Sequence, residues 1–223
     1  MVFREITLYS VALRLLAAVV IAGILGMERE KKSRAAGLRT YILVCMGSCL
    51  IMLTNQYIYQ TTGAGDPMRL GAQVVSGIGF LGAGTIIVTK RSQIKGLTTA
   101  AGLWSSAAVG LALGAGFYEA AVAAGVLIYF VMTVLQQWDK RVHRRSQYLD
   151  IYLEYSSKVG VATILKAFRE MDFYIDSIDT YPSDFSENAS ALILSLKLPK
   201  RILHSTILAD LQEVEGVIYI REL

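Results

Sequence analysis

The chain has 223 residues, of which 54% are hydrophobic, and it carries a formal net charge of +4. Its mean hydropathy is +0.46, and the long apolar runs lie within the first 138 residues. This composition predicts an integral membrane protein followed by a polar tail. Because the basic residues lie beside the apolar runs, the charge indicates membrane topology and argues against nucleic-acid binding. We expect residues 1–27 to be a retained membrane helix, not a removed signal peptide.

Five apolar stretches are each close to the roughly 20 residues that a helix needs to cross a bilayer. The predicted spans are Leu8–Met27, Leu38–Tyr57, Pro67–Val88, Thr98–Gly116 and Phe117–Gln137. The last two spans are joined by a very short glycine-containing turn, so we expect them to be antiparallel neighbours.

Basic residues alternate between the connections. The residues that set this pattern are Arg29, Lys31, Lys32, Arg34 and Arg39 in the first connection, Arg69 alone in the second, Lys90, Arg91 and Lys95 in the third, and Lys140, Arg141, Arg144 and Arg145 after the fifth span. The positive-inside rule then predicts an N-terminus outside the cell and a cytoplasmic C-terminal tail.

The tail changes from helical to alternating patterns at Tyr148. Period-two alternation predicts strands and wider spacing predicts helices. The predicted elements are strands at 149–155, 173–181, 191–198 and 217–221, helices at 159–171 and 202–214, and a turn at 183–188. This βαββαβ order is the ferredoxin-like split motif, and it resembles the ACT-type regulatory modules. We predict a transmembrane domain over 1–140 and a cytoplasmic α+β domain over 148–223. Because such modules commonly pair, we expect a homodimer.

Several residue patterns that suggest sites have simpler interpretations. Cys45 and Cys49 lie four apart in an apolar span without disulfide or zinc spacing, which predicts free thiols packed inside the membrane domain. His143 and His204 are far apart in sequence and make no metal pattern. The glycines of GIGFLG (77–82) match a dinucleotide fingerprint, but a soluble strand before them and an acidic residue about 20 positions later are missing. We therefore predict no cofactor and no metal site.

Charged residues inside or beside the spans are candidates for function. Arg14 could snorkel outward or pair with Asp66, and we predict the pair. Asp66 also precedes a proline, so a helix cap would explain it. Glu28 lies at the C-terminal end of span 1, where the helix dipole disfavours a carboxylate. Arg29, Arg34 and Arg39 could compensate its charge, although a solvated loop of mixed charge is the alternative.

Spans 3 and 4 carry small and polar residues at helical spacing. They are Arg69, Gln73, Ser76, Gly77, Phe80 and Gly84 on span 3, and Thr98, Ala101, Ser105 and Ala112 on span 4. Two interpretations stay open, namely tight helix packing with hydroxyls bonded to backbone carbonyls, and a polar cavity between the two spans. We expect close helix contact at Gly77, Gly79, Gly82, Gly84 and Gly96.

Several motifs together resemble the MgtC/SapB/YhiD family of bacterial inner-membrane proteins. They are GMERE (26–30), AGLRT (36–40), Gly47-Ser48, GIGFLGAGT (77–85), GLTTAA (96–101) and Trp104. GIGFLGAG followed closely by GLTTAA is highly specific, and the resemblance covers residues 10–137. It adds Thr99 and Trp104 to the candidate functional residues. The tail is similar to the ACT-like C-terminal domain of the MgtC branch.

The resemblance implies a non-enzymatic inner-membrane protein tied to magnesium limitation and, in pathogens, to survival inside macrophages. Members of the MgtC branch are linked to restraint of the F-type ATP synthase and to phosphate signalling. Some members carry Asn where this chain has Thr98, and Cys where it has Ser105. Those departures leave the partners of the virulence branch open for this chain.

Two functions from different classes therefore remain. The first is a membrane regulator of cation or energy homeostasis that binds a membrane partner such as the F-type ATP synthase. The second is a small magnesium or potassium channel or transporter lined by spans 3 and 4. Mg²⁺ needs oxygen ligands, and the membrane-proximal carboxylates are few. We do not expect an enzyme, because a nucleophile–base pair or metal-ligand cluster is missing from the sequence.

Overall fold

A computed structural model of the chain describes residues 5–88, 94–136, 138, 147–156, 159–182, 189–199 and 203–223. The chain forms two compact units, Met1–Gln136 and Gln137–Leu223. Some predictions concern residues outside those described, namely the turn at 183–188, His143, and the basic residues Lys90, Arg91, Lys140, Arg141, Arg144 and Arg145.

The first unit is built from apolar helices. They are α1 (Leu8–Lys31), α2 (Leu38–Thr62), α3 (Arg69–Thr85), α4 (Leu97–Gly114) and α5 (Tyr118–Phe130), the last of which continues as a π-helical segment, Val131–Leu135. Four of the described helices, counting α5 with its π-helical segment, are long and apolar enough to cross a membrane. At 17 residues, α3 lies at the lower end of the length that a spanning helix needs.

The third predicted span, Pro67–Val88, is longer than the helix that forms. α3 ends at Thr85, and Ile87–Val88 (β1) pairs in an antiparallel hairpin with Ile94–Lys95 (β2). β-Branched residues are apolar enough for a membrane span, yet they also favour extended backbone. Hydropathy therefore could not separate the end of the helix from the start of the strand.

The core of this unit lies where α2 packs between α1 and α4. A Cβ atom at Gly110 would contact the carbonyl oxygen of Cys45 and lie 2.9 Å from Cβ of Ser48. A Cβ atom at Gly114 would lie 2.7 Å from Cβ of Met52. Glycine at these positions therefore allows the backbones of α2 and α4 to approach closely. The Cys45 thiol is free and buried in this contact, as the packing interpretation predicted.

The second unit has the predicted ferredoxin-like topology. Its elements are β3 (Tyr148–Ser156), α6 (Val161–Glu170), β4 (Tyr174–Pro182), β5 (Ala189–Lys197), α7 (His204–Gln212) and β6 (Val217–Glu222). The sheet is antiparallel with the strand order β4-β5-β3-β6. Alternate β3 residues such as Ile151 and Leu153 share a buried core with Ile164 and Phe168 of α6. The period-two and helical patterns of the sequence thus meet in one core, which confirms the predicted fold class.

His204 has a structural partner in this unit. Its ring is buried, and Nδ1 lies 2.7 Å from Oε1 of Glu222. The side chain therefore joins the start of α7 to the end of β6.

Candidate functional site

Arg14 is a fully buried side chain on α1. Its Nη1 donates to the carbonyl oxygen of Gly114 at 2.8 Å and to Oε1 of Gln56 at 3.2 Å, and Nε donates to the hydroxyl of Tyr118 at 3.0 Å. Gly116 has a φ of +76°, and a Cβ atom there would lie 3.0 Å from Nη2 of Arg14. Arg14 therefore ties α1 to α2 and to the turn between α4 and α5.

The predicted pair between Arg14 and Asp66 is wrong. Asp66 is exposed, and its Oδ1 accepts from the backbone N–H of Met68 at 2.8 Å. Because α3 begins at Arg69, Asp66 closes a turn before the helix and is not its N-cap. The snorkelling alternative is also wrong, since Arg14 turns into the protein and bonds to α2 and to the α4–α5 turn.

Two neighbouring amides on α2 were missed by the sequence analysis. Asn55 is buried, and its Nδ2 donates to the carbonyl oxygen of Pro67, which fixes the connection between α2 and α3. Gln56 accepts from Arg14 and donates from Nε2 to the carbonyl oxygen of Ala115 at 3.2 Å. Adjacent amides in an otherwise apolar span were the signal that could have revealed them, because a buried amide needs a partner.

A second polar group, here called the Glu28 cluster, consists of Glu28, Arg29, Lys32 and Tyr41. The side chains of Glu28 and Arg29 are 10% and 2% exposed, and Oε2 of Glu28 lies 3.6 Å from Nη1 of Arg29. Lys32 forms an ion pair with Glu28 and donates to Oε1 of Gln136 at 2.6 Å. The solvated-loop interpretation is therefore wrong. The exposed Arg39, predicted to help compensate Glu28, forms no ion pair with it among the described residues.

One side of α3 is exposed within the described chain; it is here called the open α3 face. It consists of Ala72, Gln73, Ser76, Gly77, Gly79, Phe80, Ala83 and Gly84, all of which are exposed. A Cβ atom added at Gly77, Gly79 or Gly84 would meet no described atom within 4 Å. At Phe80 the exposed fraction reaches 84%.

The predicted close contacts at Gly77, Gly79 and Gly84 are therefore wrong within this chain. Gly82 does face α4, where an added Cβ atom would lie 3.6 Å from Cβ of Ala100. Gly96 has a φ of +99°, and a side chain there would collide with the carbonyl oxygen of Thr85. The sequence showed that glycines were concentrated here, but it did not show which of them face a helix of the same chain.

The predicted polar cavity between spans 3 and 4 is also wrong, because those helices pack directly on each other. Ser105 is half-buried and donates to the carbonyl oxygen of Ala101 at 2.9 Å, as the packing interpretation predicted. Thr99 is buried. The remaining predicted residues of this set, Arg69, Gln73, Ser76, Thr98 and Trp104, are exposed.

A groove of about 470 Å³ lies instead between α2 and α3. Ser48 and Gln73 are the polar side chains among its lining residues, and the rest are glycine or aliphatic, such as Leu43 and Ile78. The hydroxyl of Ser48 donates to the carbonyl oxygen of Val44 at 2.8 Å. The groove therefore offers little to replace the water shell of an ion.

Within the described part of the chain, no group of three His, Cys, Asp or Glu side chains could hold a metal ion. The polar groups that the structure brings together are the Arg14 contacts and the Glu28 cluster. The candidate interaction surface is the open α3 face.

The first unit is similar in sequence to known proteins. The sequence model of the MgtC family matches residues 15–141. A protein of Escherichia coli strain K12, named putative magnesium transporter YhiD, is 38% identical over 154 residues, which cover 67% of this chain and 71% of that protein. Protein MgtC of Salmonella typhimurium is 39% identical over 141 residues, covering 63% of this chain and 59% of its own length.

Similarity to another relative extends through the second unit. Protein SapB of Bacillus subtilis is 29% identical over 221 residues, which cover 95% of this chain and 94% of that protein. Among solved structures, the ACT domain from the GTP pyrophosphokinase of Chlorobium tepidum matches 34% of this chain and 96% of its own, with 19% identity and a TM-score of 0.28.

Proposed function

This chain belongs to the MgtC family, and from that membership we propose that it is a non-enzymatic membrane regulator of magnesium or cation homeostasis. We propose that it works by binding another membrane protein through the open α3 face. The magnesium assignment is supported by the name of the Escherichia coli relative. The binding mode is supported by one observation, namely the small and polar side chains that α3 exposes.

The composition of the exposed surface supports a protein partner over lipid. On α5, large apolar side chains such as Val122, Val126 and Leu127 are more than half exposed, as expected for contact with acyl chains. On α3, the spacing of Ala72, Ser76, Gly79 and Ala83 instead forms a continuous ridge of small residues. In lipid, such ridges let a second helix approach closely and gain dispersion energy.

Gln73 also favours a protein partner. Gln73 is exposed at the edge of this face, where it also lines the groove between α2 and α3. An amide without a hydrogen-bond partner is costly in an apolar medium. A second transmembrane helix could supply both a donor and an acceptor to this amide. The proposed partner therefore presents small residues and at least one polar side chain to α3. The F-type ATP synthase is a candidate partner because of the family resemblance.

The competing function is a magnesium or potassium channel or transporter. The groove between α2 and α3 is largely apolar, whereas conduction requires groups that replace the hydration shell of an ion. Purified protein in liposomes should therefore show no more Mg²⁺ or K⁺ flux than empty liposomes. Flux that depends on the protein and is abolished by Gln73→Leu would favour the channel instead.

A further inference from the structure

The Glu28 cluster contains buried polar atoms that its own neighbours leave without hydrogen bonds. Among the described residues, these are Nε and Nη1 of Arg29, Oε2 of Glu28 and the hydroxyl of Tyr41. Tyr41 is 0% exposed and the side chain of Arg29 is 2% exposed. Lys32 contacts Oε1 of Glu28 directly, whereas Nη1 of Arg29 lies 3.6 Å from Oε2, beyond hydrogen-bond distance. Buried polar groups normally form hydrogen bonds, so each of these atoms is expected to have a hydrogen-bond partner.

The hydroxyl of Tyr41 lies within electrostatic range of Arg29 and Glu28. A Cβ atom at Gly102 of α4 would contact the Tyr41 hydroxyl and the terminal methyl group of Met132. Glycine at position 102 therefore leaves room for the phenol to reach between α1, α4 and the π-helical segment. π-Helical turns are rare in proteins, and those that do occur often lie at functional sites. Here the carbonyl oxygen of Met132 lies 3.4 Å from Nζ of Lys32.

The chemistry of the unsatisfied atoms restricts the ligand. The guanidinium of Arg29 offers donors, the carboxylate of Glu28 offers acceptors, and the Tyr41 hydroxyl can do either. A metal cation would satisfy the Glu28 carboxylate but not the donors of Arg29, and an anion would satisfy those donors but not the carboxylate. Water is neutral and can both donate and accept. Buried waters typically make about three hydrogen bonds to groups that would otherwise be unsatisfied.

We propose that the Glu28 cluster is a buried water-binding site in which ordered water bridges Arg29, Tyr41 and the Glu28 carboxylate. Water enters beside Lys32, whose side chain is 31% exposed and marks the open side of the cluster. The site makes the end of α1 a hydrated contact with α2 and the π-helical segment, although the surrounding core is apolar.

X-ray radiolytic footprinting of the full-length protein in nanodiscs, with mass spectrometry, tests this site. Radiolysis converts a trapped water into a hydroxyl radical that oxidises the adjacent aromatic ring. Tyr152 is the matched control, because it is only 2% exposed and its hydroxyl already donates to Glu154. We expect Tyr41 to be oxidised several-fold faster than Tyr152. An equally slow rate at Tyr41 would overturn the proposal.

A pair of variants ties the oxidation to the cluster. Arg29→Met should reduce the oxidation of Tyr41 to the rate of Tyr152, whereas Arg39→Met, at an exposed position, should leave it fast. Met52 is 5% exposed in the same unit, and its unchanged oxidation would show that the variant keeps its fold. Rapid oxidation of Tyr41 in a folded Arg29→Met protein would show that the water lies elsewhere.

Discussion

At the scale of single residues, the membrane unit compensates a buried guanidinium through specific hydrogen bonds. Arg14 donates to a backbone carbonyl, an amide and a phenol drawn from α2, the end of α4 and the start of α5. A charge inside a membrane is expensive unless such groups surround it. Arg14 therefore acts as a connector between helices, and its removal would leave the carbonyl of Gly114 and the amide of Gln56 without this donor.

Because Arg14 and Asp66 do not contact each other, we predict that substitutions at the two positions affect the free energy of unfolding independently. Arg14→Met should lower the free energy of unfolding by about 1–3 kcal/mol, because buried acceptors lose their donor. Asp66→Ala removes one exposed hydrogen bond and should cost less, about 0.5–1.5 kcal/mol. SDS-induced unfolding in mixed micelles measures both. The loss of stability in the double variant should equal the sum of the two single losses within about 0.5 kcal/mol, as for distant sites. A larger discrepancy would show that Arg14 and Asp66 interact.

The sequence predicted that Arg14 lies at membrane depth but not which way its side chain turns. Depth follows from counting residues along a helix. The direction depends on how α1, α2 and α5 are rotated against each other. That rotation brings Gln56 and Tyr118 to the guanidinium, and no local pattern in the sequence encodes it.

At the scale of helices, glycines serve two different surfaces. Gly110 and Gly114 of α4 meet the backbone of α2, whereas Gly77 and Gly79 of α3 meet nothing in the described chain. The GxxxG spacing at 110–114 was readable in the sequence and marks a contact within the chain. The richer run at 77–84 was also readable, but small residues indicate close approach without saying which helix approaches.

A matched pair of alanine variants distinguishes these surfaces. Gly110→Ala would press a methyl group against the Cys45 carbonyl and should destabilise the purified protein by about 1–3 kcal/mol through overpacking. Gly79→Ala adds the same methyl group to open space and should be neutral, or stabilising by up to about 1 kcal/mol through helix propensity. Thermal unfolding in detergent measures both, and equal losses in the two variants would show that the open face is packed within the chain.

At the scale of the whole molecule, the chain combines an apolar helical unit with a small α+β unit. The second unit was highly predictable, because strands such as 149–155 alternate and each helix has its own apolar spacing. The first unit was predictable in its helices but not at the β1–β2 hairpin, where Ile87 and Val88 suit a span and a strand equally. Contacts between helices depend on how each helix is rotated about its axis and on which helix packs against it. The sequence did not determine either.

The central claim is that the open α3 face binds a membrane protein. Photo-cross-linking in living cells tests it most directly, with a benzophenone amino acid at Phe80 on that face and, as a control, at Val126 on the exposed apolar side of α5. These side chains are 84% and 63% exposed. We predict a discrete protein adduct from position 80 but not from 126, and its loss when Gly79→Leu is added to a chain that still accumulates in the membrane. The same products from both positions, or an adduct unaffected by Gly79→Leu, would contradict the claim.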